Sequence, residues 1–206
     1  MPFRFFDPGA LIDGELELVA PDERWVDGMA AAAGHPLTRA VSPKDAEVGR
    51  DQFARYAREF PGGRHPPDET RGLVPAYAFW MRLRPVLGFD PPVPMAGGVS
   101  LRIGHTHNLE TYLGHVGYSV YPPARGRRLA ERAVRLILPL ARRHGVDPVW
   151  ITCNPENIAS RRTCERLGGL LVDVVPLPAG HPLYDRGERT KCRYRIDVGR
   201  ALRMAK

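Results

Sequence analysis

Arginines are concentrated between residues 125 and 143, where seven of them accompany a single glutamate. The run begins with Arg125-Gly126-Arg127-Arg128, between a predicted strand and a predicted amphipathic helix. The first turn of a helix leaves backbone N–H groups unpaired and carries the positive end of the helix dipole, which suits a phosphate or pyrophosphate. The lysine of a P-loop and the three glycines of a dinucleotide motif are missing from it. The segment therefore predicts a phosphate-bearing ligand, with a solvated basic helix and a nucleic-acid-binding face as alternatives.

Histidines and cysteines offer further ligand chemistry. His105, His107 and His115 could outline a three-histidine metal site, although loop histidines without an ion are the interpretation that we favour. The cysteines of the chain are Cys153, Cys164 and Cys192. Their number is odd and no CxxC spacing occurs, so we predict reduced thiols and no metal cofactor.

Hydrophobic periodicity predicts the elements that would position these residues. Strands are expected at residues 14–19, 73–83, 99–103, 113–121, 148–152, 170–175 and 191–198. Helices are expected at residues 23–33, 44–60, 127–144 and 154–167. This order predicts an α/β (α+β) fold in which helices cover the faces of a mixed sheet.

The length and composition fit one globular domain. Residues 1–206 are predicted to form it, with a strand and two helices in 1–70 and the binding and catalytic part in 71–206. The chain is 43% hydrophobic and 26% charged, and its longest apolar runs are far shorter than a membrane span, which disfavours disordered and membrane-embedded classes. The N-terminus lacks a signal-peptide pattern, so we expect a cytoplasmic protein without a membrane partner.

The basic loop and its neighbours resemble the GNAT superfamily of N-acetyltransferases. The acetyl-CoA loop of that family reads Gln/Arg-x-x-Gly-x-Gly/Ala, which Arg125 and Ala130 match at its two ends. Gly126 matches the common Arg-Gly pair, whereas Arg128 stands where the family usually has glycine. The flanking segments at 114–120 and 151–160 extend the resemblance over about residues 73–196, toward a subgroup of predicted acetyltransferases with unassigned substrates.

The resemblance implies a particular fold and cofactor site. The sheet would be mostly antiparallel, with about six or seven strands and a splayed parallel pair, 113–121 and 148–152, that holds acetyl-CoA. The implied cofactor-binding residues lie on the first of these strands, in the loop and helix start after it, and on the helix after the second strand. They are Tyr118, Ser119, Val120, Arg125, Gly126, Arg127, Arg128, Leu129, Ala130, Asn157 and Ser160.

The resemblance also implies catalytic and acceptor residues. Cys164 occupies the position of a tyrosine that acts as the acid in many members, with a buried structural thiol as the alternative. Glu110 and His115 are the candidates for the base, with a structural histidine as the alternative for His115. The aromatic strand residues Tyr77, Phe79 and Trp80 would line the acceptor pocket or belong to the core.

The function implied is acetyl-CoA-dependent N-acetylation of a primary amine, with a small molecule as the acceptor that we expect. A non-catalytic acyl-CoA sensor of the same fold is one alternative, since Arg128 replaces a glycine and the acid tyrosine is missing. A nucleic-acid-binding module that uses residues 125–143 is the other, and we do not favour it because no base-stacking aromatic motif accompanies the arginines. A homodimer formed through the last strands is allowed by analogy only.

Overall fold

Alternation of apolar and polar residues builds an antiparallel sheet of six strands. The computed structural model describes residues 3–204. The strands are β1 (Ile12–Asp13), β2 (Leu16–Val19), β3 (Arg64–His65), β4 (Ala76–Leu83), β5 (Met95–Arg102) and β6 (Val116–Val120). Their order is β1-β2-β4-β5-β6, with β3 paired to β4 outside that path. The β4 residues are nearly all buried, which explains the continuous apolar run in the sequence.

A second antiparallel sheet has three strands. These are β7 (Val149–Cys153), β8 (Leu170–Pro176) and β9 (Thr190–Ile196), in the order β7-β9-β8. The strand β9 lies between the other two and pairs with both along its length. The predicted strands at 170–175 and 191–198 are therefore neighbours in this sheet.

Eight α-helices complete the described part of the chain. They are α1 (Val26–Ala33), α2 (Pro36–Val41), α3 (Pro43–Ala46), α4 (Arg50–Glu59), α5 (Leu129–Arg143), α6 (Ile158–Arg166), α7 (Pro182–Asp185) and α8 (Val198–Arg203). The apolar stripe of α5, which includes Ala133, Val134 and Ile137, is fully buried in the main core. No helix in residues 3–204 is long and apolar enough to span a membrane.

Two predicted elements are interrupted in the structure, and the helix expected at 154–167 begins only at Ile158, after the Asn157 cap. The helix expected at 44–60 is broken, because Pro43 starts a short helix that ends at Ala46, and Gly49 is extended (φ −82°, ψ 167°) before α4 begins. The strand expected at 113–121 begins only at Val116, because residues 109–113 form a π-helical turn that ends at Gly114. Local apolar spacing in the sequence does not reveal these breaks, since Val48, Phe53, Tyr56 and Phe60 in the first segment suit one continuous helix and the apolar residues of 113–121 suit one strand.

A fully buried histidine, His115, joins the two sheets. Its backbone N–H donates to the backbone carbonyl oxygen of Trp150 (2.7 Å), and the backbone N–H of Trp150 donates to the ring Nδ1 atom of His115 (2.9 Å). Its Nε2–H donates to the Gly104 carbonyl oxygen (2.9 Å), and its own carbonyl accepts from the Arg102 N–H (2.7 Å). The pattern of partners assigns a neutral ring with the proton on Nε2. The backbone ends of β5, β6 and β7 are thereby held at one point.

Gly114 allows this close approach. It has φ +73°, and a Cβ atom there would lie 3.0 Å from the amide nitrogen of Thr152 on β7. A positive φ and a contact this short both favour glycine. The strands β6 and β7 therefore meet where each begins and line cavities further along, instead of pairing. This is the splayed parallel pair that the resemblance implies.

The first prediction concerns His115→Gln, which keeps a donor and an acceptor but cannot titrate. Burial lowers the pKa of His115 below its usual 6.5, so its stabilising contribution is present above that pH and is lost as the pH falls. The wild-type free energy of unfolding should therefore decrease on acidification more steeply than that of the variant, by up to about 1.4 kcal/mol per pH unit. Urea denaturation between about pH 7.5 and about pH 5 measures both slopes.

His65 and His144 also have pKa values lowered by burial, and both histidines are present in the wild type and in His115→Gln. Their contributions cancel in the comparison, so the difference in slope belongs to His115. Equal slopes for the two proteins would contradict the buried neutral role of this ring.

Candidate active site

Two cavities meet at the open end of the splayed strands. The large cavity has a volume of about 740 Å³ and the small cavity about 320 Å³. Tyr118, Asn157 and Ser160 line both of them. The large cavity is further lined by Asp45, Ser119, Val120, Arg125, Gly126, Arg128, Leu129, Ala130, Ala159, Arg162, Thr163 and Arg166. The structure thus brings together every cofactor-binding residue predicted from the sequence except Arg127.

The loop before α5 presents unpaired backbone donors to the large cavity. Within the described residues, the N–H groups of residues 126–131 donate to no protein acceptor. The loop turns through Gly126 (φ +89°) and Arg128 (φ +54°), the latter directly before the helix. Unpaired amides at the positive end of a helix dipole are able to hold an anion, which is the arrangement that the sequence predicts.

Side-chain charge in the large cavity is strongly positive. Four arginines line it, and Asp45 is the one carboxylate among its lining residues. Arg125 and Arg128 come from the loop, and Arg162 and Arg166 lie one turn apart on α6. The sequence analysis missed the two α6 arginines, although their four-residue spacing after Asn157 was a readable signal.

Arg127 lies outside this lining. Its guanidinium stacks on the Phe89 ring (3.8 Å to the centroid), so only its backbone belongs to the loop site. Its predicted role in cofactor binding is therefore limited to the peptide N–H in this structure.

Other arginines of the basic segment bind the protein itself. Arg132 pairs with Asp13 (2.6 Å) and Glu15 (2.8 Å), and Arg135 pairs with Glu131. Arg143 donates to a backbone oxygen and stacks over an aromatic ring near the N-terminus. The described residues therefore do not form the continuous basic face that the nucleic-acid alternative requires, because these charges are used in packing.

The junction of the cavities carries a hydroxyl pair. The Tyr118 Oη and Ser160 Oγ atoms are 2.8 Å apart. Burial raises the pKa of Tyr118, so its hydroxyl keeps its proton at neutral pH. The Asn157 side chain accepts from the Ser160 N–H (3.0 Å) and caps α6, which fixes Ser160 opposite Tyr118.

Cys164 does not line either cavity. It is fully buried, and its hydrogen bond to Cys153, together with burial, raises the pKa of its thiol. Cys153 is the thiol that lines the small cavity. The position of Cys164 is that of a buried structural thiol, which was the alternative to an acid role. The predicted acid role of Cys164 is not supported by the geometry.

Glu110 and His115 also lie outside both cavity linings. The Glu110 carboxylate is 3.0 Å from the Nδ1 atom of His105, and both ring nitrogens of His115 are engaged with backbone groups. His105, Glu110 and His115 have potential ligand atoms within 4.8 Å of one another, whereas His107 does not join this group. The group therefore contains Glu110 in place of His107 of the three-histidine site considered from the sequence. The roles of Glu110 and His115 as the base remain predictions.

The aromatic residues Tyr77, Phe79 and Trp80 are core residues. Their exposed fractions are 1%, 4% and 5%, and none lines the two cavities. The Tyr77 hydroxyl is bound to His144 Nε2 (2.8 Å). Their position corresponds to the core alternative and not to an acceptor pocket, because β4 is covered on both faces.

The small cavity instead contains charged groups that the sequence analysis missed. Arg102 comes from the end of β5, while Glu188 and Lys191 come from the loop before β9 and from its start. Lys191 is buried, pairs with Glu188 and donates to Asn154 Oδ1 (2.9 Å). No local motif marks these residues, since they converge only when the second sheet packs beside β6.

A family model described as the acetyltransferase (GNAT) domain matches residues 16–169. The chain therefore belongs to the GNAT family and is an acetyltransferase. No curated protein sequence matches this chain at a significant level.

Solved structures share the fold over nearly the whole chain. The microcin C7 self-immunity acetyltransferase MccE, in complex with acetyl-CoA and AMP, is 16% identical with a TM-score of 0.62, covering 90% of this chain and 93% of its own. RimL, a ribosomal L7/L12 α-N-protein acetyltransferase in complex with coenzyme A, is 16% identical with a TM-score of 0.60, covering 92% and 99%. An acetyltransferase from Salmonella typhimurium that modifies the N-terminal serine of L7/L12 is 17% identical with a TM-score of 0.59, covering 90% and 96%. The fold class implied by the resemblance is confirmed.

The second prediction concerns Arg128→Gly. A non-glycine residue with φ +54° is strained, and glycine removes that strain at some cost in unfolded-state entropy. The free energy of unfolding should rise by about 0.5 kcal/mol. Urea denaturation measures the change, with Arg142→Gly within α5 as a control that should instead lower stability by about 1 kcal/mol. A lower free energy of unfolding for Arg128→Gly than for the wild type would contradict the inference that the backbone of Arg128 is strained.

Proposed function

We propose that this acetyltransferase uses acetyl-CoA and transfers its acetyl group to a primary amine of a small molecule. One observation carries the proposal: a large cavity with unpaired loop amides and four arginines meets a small cavity at the Tyr118 and Ser160 hydroxyls. Acetyl-CoA has a diphosphate and a reactive thioester separated by the pantetheine arm, which matches these two features. The similar structures of MccE and RimL hold acetyl-CoA and coenzyme A, which supports the same co-substrate here.

The residues present fit acetyl-CoA. The N–H groups of residues 126–131 would hold its pyrophosphate, with Arg125, Arg128, Arg162 and Arg166 as counter-charges. The edge of β6 at Ser119 and Val120 and the Asn157 end of α6 would flank the pantetheine arm. The acetyl end would then lie at the junction, beside Tyr118.

The reaction requires an attack on a thioester by a neutral amine. The amine nitrogen forms a bond to the carbonyl carbon, the carbon–sulfur bond breaks, one amine proton passes to a base, and the departing thiolate takes a proton from solvent. Because its raised pKa keeps Tyr118 protonated, we assign it a hydrogen bond to the departing sulfur, with Ser160 orienting the hydroxyl. Cys164 lines neither cavity, and its buried thiol is hydrogen-bonded to Tyr118, so we assign it no proton transfer in this step.

Glu188 is our candidate for the group that accepts the amine proton. It is the one carboxylate among the residues that line the small cavity. Its ion pair with buried Lys191 fixes its position at the wall, and a carboxylate can take an ammonium proton directly or through water. This assignment replaces a base on Glu110 or His115, neither of which faces the cavity.

The size of the small cavity favours a small acceptor. A volume of about 320 Å³ is at the lower end for small-molecule sites, so one compact amine or the first residue of a peptide can enter. The neighbours that modify ribosomal protein L7/L12 keep an N-terminal amine as a second acceptor class to be tested.

The third prediction tests co-substrate binding. Arg162→Glu should weaken acetyl-CoA binding about 10- to 150-fold, because a charge-assisted contact to phosphate is replaced by repulsion. Arg142→Glu carries the same change in net charge at an exposed site near the end of α5 and should leave the dissociation constant nearly unchanged. Isothermal titration calorimetry measures both. Equal effects of the two variants would show a general charge effect and contradict the assigned cavity.

The fourth prediction tests the two catalytic assignments. Glu188→Gln and Tyr118→Phe should each lower kcat about 100-fold while both proteins still bind acetyl-CoA. Asp185→Asn, a matched exposed change close to Glu188, should retain wild-type turnover. Release of CoA thiol with an amine panel measures the rates. Unchanged kcat in either variant would remove that residue from the mechanism, and binding without product across the panel would favour the sensor alternative.

A further inference from the structure

Arg102 lies between the small cavity and a third one. The side cavity, of about 570 Å³, is bounded by the loops at 59–74 and 106–113. Arg102 and Leu113 line both the small cavity and the side cavity. A guanidinium at this position faces any acceptor that occupies the small cavity and extends outward.

The charge of Arg102 has no carboxylate partner in residues 3–204. Its Nη1 donates to the Gly114 carbonyl oxygen (3.1 Å), and it forms no ion pair with these residues. The titratable groups near it are His115 and the pair of the Tyr56 hydroxyl and His65, which are bound to each other at 2.9 Å. Burial lowers the pKa of Arg102, yet a guanidinium stays charged in proteins. A largely desolvated cation of this kind is stabilised by an anion.

The other cation of the small cavity is already neutralised. Lys191 is paired with Glu188 and bound to Asn154, whereas Arg102 has only a neutral carbonyl among the described residues. Arg102 is therefore the uncompensated charge at the cavity wall.

Gly117 leaves room for the Arg102 guanidinium beside β6. A Cβ atom at Gly117 would lie 3.5 Å from both Nη1 and Nη2 of Arg102. Arg102 and Tyr118 both line the small cavity. An acceptor in this cavity could therefore place its amine toward Tyr118 and an anionic group on Arg102.

We propose that Arg102 binds an oxyanion of the acceptor, so that the acceptor is a primary amine carrying a carboxylate or a phosphate. The planar guanidinium can bind either group through two parallel hydrogen bonds. The inference rests on the proposed amine acetylation and names the acceptor class of the same site. The same chemistry could also come from a dicarboxylic acyl-CoA, which the experiment distinguishes.

The kinetic test uses matched amine pairs with acetyl-CoA: β-alanine against β-alaninamide, and phosphoethanolamine against ethanolamine. The wild-type ratio of kcat/KM, anionic to neutral, should exceed about 10 for at least one pair, and Arg102→Gln should lower that ratio about 10- to 150-fold. Arg102→Lys, which keeps the charge without the fork, should give an intermediate ratio. Arg55→Gln, at an exposed site on α4, should keep the wild-type ratio. Wild-type ratios near one would overturn the proposal.

A second arm locates the anion on the acyl group or on the acceptor. If ethanolamine and β-alaninamide are modified better with succinyl-CoA than with acetyl-CoA, and Arg102→Gln removes that preference, the oxyanion belongs to the acyl donor and the acceptor assignment is wrong. No preference for succinyl-CoA supports the acceptor as the source.

A third arm needs no turnover. Inorganic phosphate and glutarate are titrated calorimetrically into the protein saturated with CoA, so that the phosphate loop is already filled. Binding to the wild type that is lost in Arg102→Gln supports the anion site even if no amine is acetylated, in which case only the proposed function fails. Absence of binding, or equal binding to both proteins, overturns the proposal.

Discussion

The hydrogen bonds of His115 determine where the two sheets touch and therefore where they separate. A neutral imidazole satisfies the backbone of both sheets at once, through Trp150 on one side and Gly104 on the other. Each buried backbone group that lost such a partner would cost free energy, so the contact holds the sheets at one end. The open end of β6 and β7 is the consequence, and both cavities lie there.

The same constraint divides the basic segment into two parts. Residues 126–131 begin a helix at the open end, where their amides face a cavity and not the protein. Further along α5, Arg132 and Arg135 fall beside carboxylates and carbonyls of the N-terminal strands and of α8. A cluster of arginines that is uniform in the sequence thus contains one part that faces a cavity and one part that binds the protein itself.

The two cavities that meet at the junction differ in the charge of their linings. Four arginines line the large cavity, and the small cavity is lined by the ion pair of Glu188 and Lys191 and by Arg102, which has no carboxylate partner in the described residues. Tyr118, protonated and fixed by Ser160, stands where the two meet. In the proposed reaction, the anionic donor would therefore occupy one side of the junction and the amine the other.

The loop before α5, the helix that follows it and the GNAT family could all be predicted from the sequence, because each depends on contiguous residues and their backbone, whereas the start of α6, expected at residue 154, lies after the Asn157 cap. Apolar alternation predicted most of the strands in the same way. The burial of His115 and Cys164 and the core position of the β4 aromatic residues became visible only in the folded chain. The acceptor cavity is the extreme case, since Arg102 and Glu188 are 86 positions apart in the sequence. No local pattern can record such a pair, because its members share surroundings only after two sheets have packed around one buried contact.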